Sequence, residues 1–524
     1  MNLLSSRYRR RLGLLAAAGG ILLIGVGVSA SLPLLRDRAD IATARALQAS
    51  LSGTVDAGIG DFYAARDYRP LWTGDRKLEA AGHRVIDLLQ HASDHGLDPD
   101  AYLSHDLTEQ VESARTGRLD AGGVVRLEVK LSQAFSLFLR DMHQPAPGND
   151  LIWVAGAKPN PAIDVGHVFE NVALASGPTD IGAALGMHPD YVELSNTLAE
   201  WRRTWASLPP RHVPEGANVH LGERDSRLIG LRVRIGGSTT VADPDLLDAD
   251  LANRLSSFQR WHGLDDSGLL NSATVYALNG DRTAFERRIV RNLDRLRALP
   301  AQPGNRYLIV NAAQAMLTAY AEGAPVKIMR VIVGRPETPT PMIAGLIQYA
   351  VLDPYWNIPE DLVRNQIAPA VLADGLSAFE TRDLEALADW SPVSRVVPAH
   401  AIDCQSVAEG ESRVRVRQRP GPDNMMGKVK FMLPNDLGIY LHDTPYRMLF
   451  QQSQRALSAG CVRLDDAQWL GEWLAGGSFL SQAGGEAERR LDLIQPTPVF
   501  ITYQTVLVRP GGLSVLPDIY GRDI

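Results

Sequence analysis

Apolar positions recur with two different periods along this chain, and the change falls near Arg297. From about Ala39 to Pro210 they return at helical spacing, as in the run Leu127, Leu131, Ala134, Phe135 and Phe138, which predicts a mainly helical region. Between about Leu228 and Asn279, Leu247, Leu251, Leu255 and Phe258 form a stripe at spacings of four, four and three, with Gly263 placed to end the helix. After the turn Asp265-Asp266-Ser267-Gly268, a second short helix is predicted over Ser272–Leu278. Periodicity supports a small three-helix packing module here and nothing more.

Beyond Arg297 the pattern shortens to β-rich runs at 307–311, 349–352, 429–433 and 438–442, separated by turn residues, which suggests a sandwich or a barrel. Pro434-Asn435-Asp436-Leu437-Gly438 reads as a hairpin loop that leaves His442 at a strand end. The stretch 365–422 is longer than an ordinary connection, carries helical pieces and many polar residues, and reads as a lid-like insertion. The fold class is therefore α+β multidomain: a helical scaffold at 36–212, the three-helix module at 222–283, and a mostly β-sandwich domain at 297–524 with its capping insertion at 365–422.

The first residues bear on location. Arg7, Arg9, Arg10 and Arg11 precede an uncharged, apolar-rich run from Leu12 to Leu35. A basic cluster ahead of such a run reads as an export signal with the remainder exported, and the competing reading is a buried core helix. Val28-Ser29-Ala30 suits a signal peptidase, yet the run is also just long enough to span a bilayer, so cleaved signal (1–35) and retained anchor (12–35) both stand. Composition adds little: 524 residues, 45% hydrophobic, 22% charged and a formal charge of −7 describe an ordinary globular chain and give no electrostatic reason to expect nucleic acid. His91 and His95 have a spacing that metal sites use, but no accompanying ligand motif, and no metal or organic cofactor is expected.

Two cysteines, Cys404 and Cys461, are too few for a disulfide framework, although they are able to pair with each other. Cys461 stands out by its neighbours. It follows Gly460, whose lack of a side chain lets main-chain amides be aimed at a ligand, and Arg463 lies two residues on. Asp465 or Asp466 is placed to cap a following helix with Ala467, Leu470 and Leu474 on one face; a cation and a helix N-terminus both favour a thiolate. Taken alone, Cys461 also reads as a small buried hydrophobe and His442 as a packed strand-end residue. Together they supply what acyl transfer needs: a thiol nucleophile, an imidazole to manage protons, and amides for an oxyanion.

The chain Tyr440-Leu441-His442-Asp443-Thr444-Pro445 followed by Ser458-Ala459-Gly460-Cys461-Val462-Arg463 resembles the signature of L,D-transpeptidases (the YkuD catalytic domain), which joins a histidine to a Ser-x-Gly-Cys-x-Arg turn. The likeness extends through Val331–Pro336, Thr338-Pro339-Thr340-Pro341 and Pro354–Pro359. Phe258-Gln259-Arg260-Trp261-His262-Gly263-Leu264, with Gly268, Thr274 and Leu278-Asn279, resembles the peptidoglycan-binding domain of cell-wall hydrolases. The layout as a whole is similar to the large YcbB-type members. That resemblance implies two acyl transfers in the periplasm: Cys461 attacks the third residue of a tetrapeptide stem, and the amine of a second stem resolves the thioester into a 3→3 cross-link, with His442 serving both halves. It further implies an oxyanion hole of the Gly460 and Cys461 amides, Arg463, Tyr440, Trp356, Thr444 and Ser458 as substrate-holding candidates, peptidoglycan stems as partners, carbapenems as covalent inhibitors, and contact with the inner membrane if the N-terminal segment is retained. Water, a D-amino acid or a lipoprotein amine is an alternative acceptor, and a non-catalytic wall-binding scaffold is an alternative role. Asp443 and Ala459 depart from the glycine and second histidine common in the family, which leaves the group orienting His442 open between a backbone carbonyl and a side chain.

Overall fold

The computed structural model describes residues 34–52, 57–149, 151–177, 179–300, 302–391, 393–479 and 485–523. The export segment at 1–35 lies almost wholly outside the described residues; among these, no helix is long and apolar enough to cross a membrane.

The first part is helical. Its central helix, Ala121–His143, contains the predicted apolar run and starts at Asp120, whose carboxylate accepts from the Gly123 N–H. Leu127, Leu131, Phe135 and Phe138 are fully buried on it, and Phe135 and Phe169 stack at 5.3 Å. Glu128 lies beneath them without solvent access. It accepts from Tyr63, from the Trp72 N–H and from Thr73, so the buried carboxylate is saturated with donors.

Leu247, Leu251, Leu255 and Phe258 are all fully buried; the last three lie on the helix Ala249–Trp261, which Asp248 caps, and Leu247 stands just before the cap. Gly263 follows at φ +68, where a side chain would strain the backbone. The second helix is Ser272–Asn279. His262 stacks on Phe258 at 3.9 Å and bonds its carbonyl through Nδ1, and burial lowers its pKa to about 4. His95 is likewise buried, against Tyr191, and burial with the nearby Arg297 lowers it to about 4. Both imidazoles are therefore neutral when folded and protonated below about pH 6.5 when unfolded. Stability is present above pH 6.5 and is lost as the pH falls toward 4, at up to about 1.4 kcal/mol per pH unit for each histidine. Urea titrations at pH 7, 6 and 5 should show the midpoint falling, and H262F should shallow that slope.

One short strand, β1 (Ile152–Trp153), comes from the helical part of the chain; beyond residue 300 the strands follow the β-branched and aromatic runs. Those nearest the site are β2 (Arg306–Asn311), β3 (Met316–Ala321), β4 (Ala324–Gly334) and β5 (Ile343–Leu352). Four more belong to the insertion: β6 (Trp356–Asn357), β7 (Leu384–Leu387), β8 (Val396–Val397) and β9 (Arg415–Gln418). The rest are β10 (Val429–Met432), β11 (Leu441–His442), β12 (Ala456–Ser458), β13 (Val462–Leu464), β14 (Arg489–Thr502), and the hairpin β15 (Val506–Arg509) and β16 (Gly512–Val515). The main ladder runs β10-β11-β13-β4-β3-β2-β14-β5-β1, and β10 also pairs with β5. The sheet thus returns to its first strand, and the expected sandwich is a sheet closed on itself, leaving few open edges. β1 comes from the helical part of the chain and adds to β5 in parallel.

Two expectations change here. The run 438–442 forms a strand only at Leu441–His442, because Gly438 takes φ +66 and the Asn435 side chain holds the loop by accepting from the Leu437 and Ile439 N–H groups. The insertion is broader than 365–422. It leaves after β5 and returns at β10, two strands that are direct neighbours (Leu352 opposite Val429), and it carries its own sheet, β8-β7-β9-β6, over a separate core of Ile358, Val363, Phe379 and Val416. Trp356 sits in that sheet, opposite Gln418.

Candidate active site

The site is built on one long strand. β12 runs parallel to β4, with Ala456 opposite Val333 and Ser458 opposite Gly334, and β13 runs back along it, with Arg463 opposite Ile332. The chain therefore reverses over Ala459-Gly460-Cys461, and Gly460 takes φ +118, a conformation a side chain would strain. β11 lies parallel to β13, pairing Leu441 with Val462 and His442 with Arg463, so one step back along the register places Cys461 beside Tyr440.

Threonine and tyrosine side chains far away in sequence hold this turn. Thr340, fully buried, donates to the Gly460 carbonyl and accepts from the Gly334 N–H, both at 2.8 Å. Tyr520 donates to the Gly334 carbonyl at 2.7 Å, and Thr338 donates to the Ser458 carbonyl. A Cβ at Gly334 would collide with the main chain of Thr338 and Thr340. T340V would leave a buried N–H and a buried carbonyl unpaired, an expected loss of about 2–4 kcal/mol in chemical denaturation. The turnover of T340V should fall at least tenfold under conditions where it remains folded.

His442 is buried and its Nδ1 lies 2.6 Å from the Asp443 carbonyl, an acceptor only, so Nδ1 carries the hydrogen and Nε2 keeps the lone pair. The orienting group is thus a backbone carbonyl. Asp443 is itself fixed: its carboxylate accepts from the Lys428 N–H at 2.9 Å and pairs with Arg447. Burial, reinforced by Arg463, lowers the His442 pKa to about 3, so the imidazole is neutral across the physiological range, with Nε2 as its unprotonated atom.

The Cys461 thiol is partly exposed and donates to the Gly438 carbonyl at 3.4 Å. Burial raises its pKa; hydrogen bonds from Tyr440 and the charge of Arg463 oppose that rise without reversing it. Arg463 lowers the thiol's pKa as its charge suggests, but desolvation of the sulfur is the larger effect. The helix is present, at Ala467–Ala475, and Asp466 caps it. Asp465 pairs with Arg330 instead. The resting pair is thus a neutral thiol and a neutral imidazole. Tyr440 lies edge-on to His442 at 5.7 Å, and burial followed by Cys461 raises its own pKa, so it remains a donor.

The other candidates separate. The Gly460 N–H donates to Ser458 Oγ at 3.1 Å and is not available to an oxyanion; among the described residues the Cys461 N–H has no such partner. Ser458 is buried and also donates to the Cys461 carbonyl, so it ties the turn rather than facing substrate. Thr444 is buried too, its hydroxyl accepting from the Tyr446 N–H at 3.4 Å. Trp356 packs with the insertion core. Arg463 lies opposite His442, and its Nε is buried with no hydrogen-bond partner among the described residues. Cys404 and Cys461 are both free thiols, Cys404 buried in the insertion helix Cys404–Glu409. Thr340, Tyr520 and the Asp443 carbonyl were not singled out by spacing; the doubled Thr-Pro at 338–341 was the available signal.

Residues 305–501 match the YkuD family model, the L,D-transpeptidase catalytic domain, and residues 57–198 match a scaffold-domain model. A protein of Haemophilus influenzae named "Putative L,D-transpeptidase" is 31% identical over 265 residues, 48% of this chain and 52% of the relative, so the chain spans about half the length of the curated relative it matches. Among solved structures, an L,D-transpeptidase from Mycobacterium smegmatis overlaps at 11% identity, 38% of this chain and 58% of the other, with a TM-score of 0.20. L,D-transpeptidase 3 from Mycobacterium tuberculosis, solved with a faropenem-derived adduct, overlaps at 14% identity, 38% and 60%, with a TM-score of 0.19.

Proposed function

We propose, taking the L,D-transpeptidase catalytic domain matched at 305–501 as the premise, that this protein joins peptidoglycan stem peptides by 3→3 cross-links through a Cys461 thioester. The observation that carries the proposal is the register of two adjacent strands, which sets a thiol on a braced Gly-Cys turn beside Tyr440, two residues along from a neutral histidine whose Nδ1 is tied to a main-chain carbonyl. In the first half-reaction Sγ attacks the carbonyl of the third stem residue while His442 Nε2 accepts the thiol proton. The C–N bond to the terminal D-alanine breaks, and the imidazolium returns the proton to that amine. In the second half, the side-chain amine of another stem attacks the thioester. His442 takes the amine's proton and gives it to the departing sulfur.

The Cys461 N–H is the oxyanion donor in this reading, and Arg463 Nε holds the donor stem. Residues 222–283 serve as a wall-binding module, and the segment at 12–35 directs the chain to the periplasm, either cleaved or kept as an inner-membrane anchor. Carbapenems acylate Cys461. Incubation with tetrapeptide-bearing wall fragments, followed by mass spectrometry of the muropeptides, should yield diaminopimelate-to-diaminopimelate dimers. Their absence, or hydrolysed or amino-acid-exchanged stems in their place, would replace this acceptor with another.

A further inference from the structure

β11 is only two residues long, so Leu441 and His442 alone carry the ladder between the histidine's strand and the strand that follows the nucleophile. So short a ladder is a weak constraint on an imidazole, and a misplacement of about 1 Å is enough to cost about a hundredfold in rate. Immediately past its end stands Asp443, with its side chain buried. Gly427, at φ +60, leaves room for the carboxylate: a Cβ there would come within 2.3 Å of Asp443 Oδ2, the atom that accepts from the Lys428 N–H at 2.9 Å. The other oxygen, Oδ1, takes Nη2 of Arg447.

Arg447 opens the 3-10 helix Arg447–Gln451 and is half exposed. Its Nη1 donates to the Leu464 carbonyl at 3.2 Å and to the Asp465 carbonyl at 2.8 Å. These carbonyls stand at the end of β13 and just past it, one and two residues beyond the Arg463 that pairs with His442. Asp465 is in turn bound to Arg330 of β4, through its N–H at 3.1 Å and its carboxylate at 3.0 Å. One guanidinium therefore joins the histidine's strand to the cysteine's strand where their main-chain ladder has run out. Asp443 also supplies the carbonyl on His442 Nδ1, so a group that fixes Asp443 fixes the imidazole. We propose that Arg447 is a positioning residue for the transfer reaction: by clipping Asp443 to Leu464 and Asp465 it keeps His442 in register with the Cys461 turn. This role rests on the thioester reading above and acts through Asp443, not on the substrate.

Kinetics of R447M and R447K in the full chain test it, with cross-link formation and iodoacetamide alkylation of Cys461 measured side by side. In R447M kcat should fall at least about tenfold with KM within about twofold of the parent. Alkylation should slow at least about fivefold, because the base is displaced before any stem binds. Lysine keeps the charge but lacks the planar fork that meets a carboxylate and two carbonyls together, so R447K should recover only part of the loss. Melting temperatures of both should stay close to the parent's, since the side chain is half exposed. A rise in KM at unchanged kcat would make Arg447 a substrate contact, and full activity in R447K would reduce its role to charge. Unchanged kcat or unchanged alkylation per folded molecule in R447M would leave it a structural contact. Each of these overturns the proposal. If R447M does not fold, R447K carries the reading through the same two rates. A parent that alkylates but forms no dimers would fail the 3→3 reading and leave the alkylation comparison to decide the role of Arg447.

Discussion

Cross-link formation by C461A should fall at least about four orders of magnitude below the parent, since no other group near the turn is able to hold an acyl intermediate. C461S should be nearly as inactive. The environment that already disfavours a thiolate disfavours an alkoxide more, and a neutral His442 is a modest base for a hydroxyl. Cys461 as a residue is of intermediate exposure and its thiol makes one hydrogen bond, to the Gly438 carbonyl, so melting temperatures should stay close to the parent, which separates chemistry from folding. Counting dimers by mass spectrometry at matched protein concentration reads the result. C461A retaining even one per cent of parental dimer formation would exclude the thioester route, whereas residual activity in C461S would report an oxygen ester.

H442A should cost about two to four orders of magnitude in transfer rate, the range for loss of a positioned acid and base. The pH profile gives the sharper test. A histidine of ordinary pKa would lose its base form below about pH 6.5, whereas His442, held near 3 by burial and Arg463, stays unprotonated well below that. The acid limb of kcat/KM for the parent should therefore lie below about pH 5, and an acid limb centred near 6.5 would contradict the neutral buried imidazole. Because His442 is buried, H442A also opens a cavity, so the rate is to be compared with that of H442Q at a temperature where both are folded.

The reacting pair was legible in the sequence because its two halves sit in short, contiguous segments: His442 closes a strand, and Cys461 follows a glycine that only a turn requires. The helix after it was legible for the same reason, through Asp466 and the spacing of Ala467, Leu470 and Leu474. Roles that depend on who faces whom across long separations were not. Ser458 and the Gly460 amide looked like substrate-facing groups, and they bond each other. Trp356 was marked by its motif, and its place in the insertion sheet opposite Gln418 was not legible from spacing. Arg463 does favour the thiolate as its charge suggests, but spacing cannot weigh that charge against the desolvation of a sulfur under Tyr440. Thr340 lies 120 residues before Gly460, and nothing local marks it as the clamp on that turn.

Tyr520 gives that clamp a bearing on how the chain can be divided. Its hydroxyl reaches the Gly334 carbonyl, its ring stacks on Tyr503 at 5.0 Å, and it stands nineteen residues past the end of the matched segment at 501. β1, from the other side, lends residues 152–153 to the same sheet. A fragment trimmed to 305–501 would keep the nucleophile, the base and the Thr340 clamp and lose the Tyr520 hydroxyl on Gly334 and the added strand β1, so the unit that inherits a recognisable sequence is smaller than the unit that carries the mechanical load.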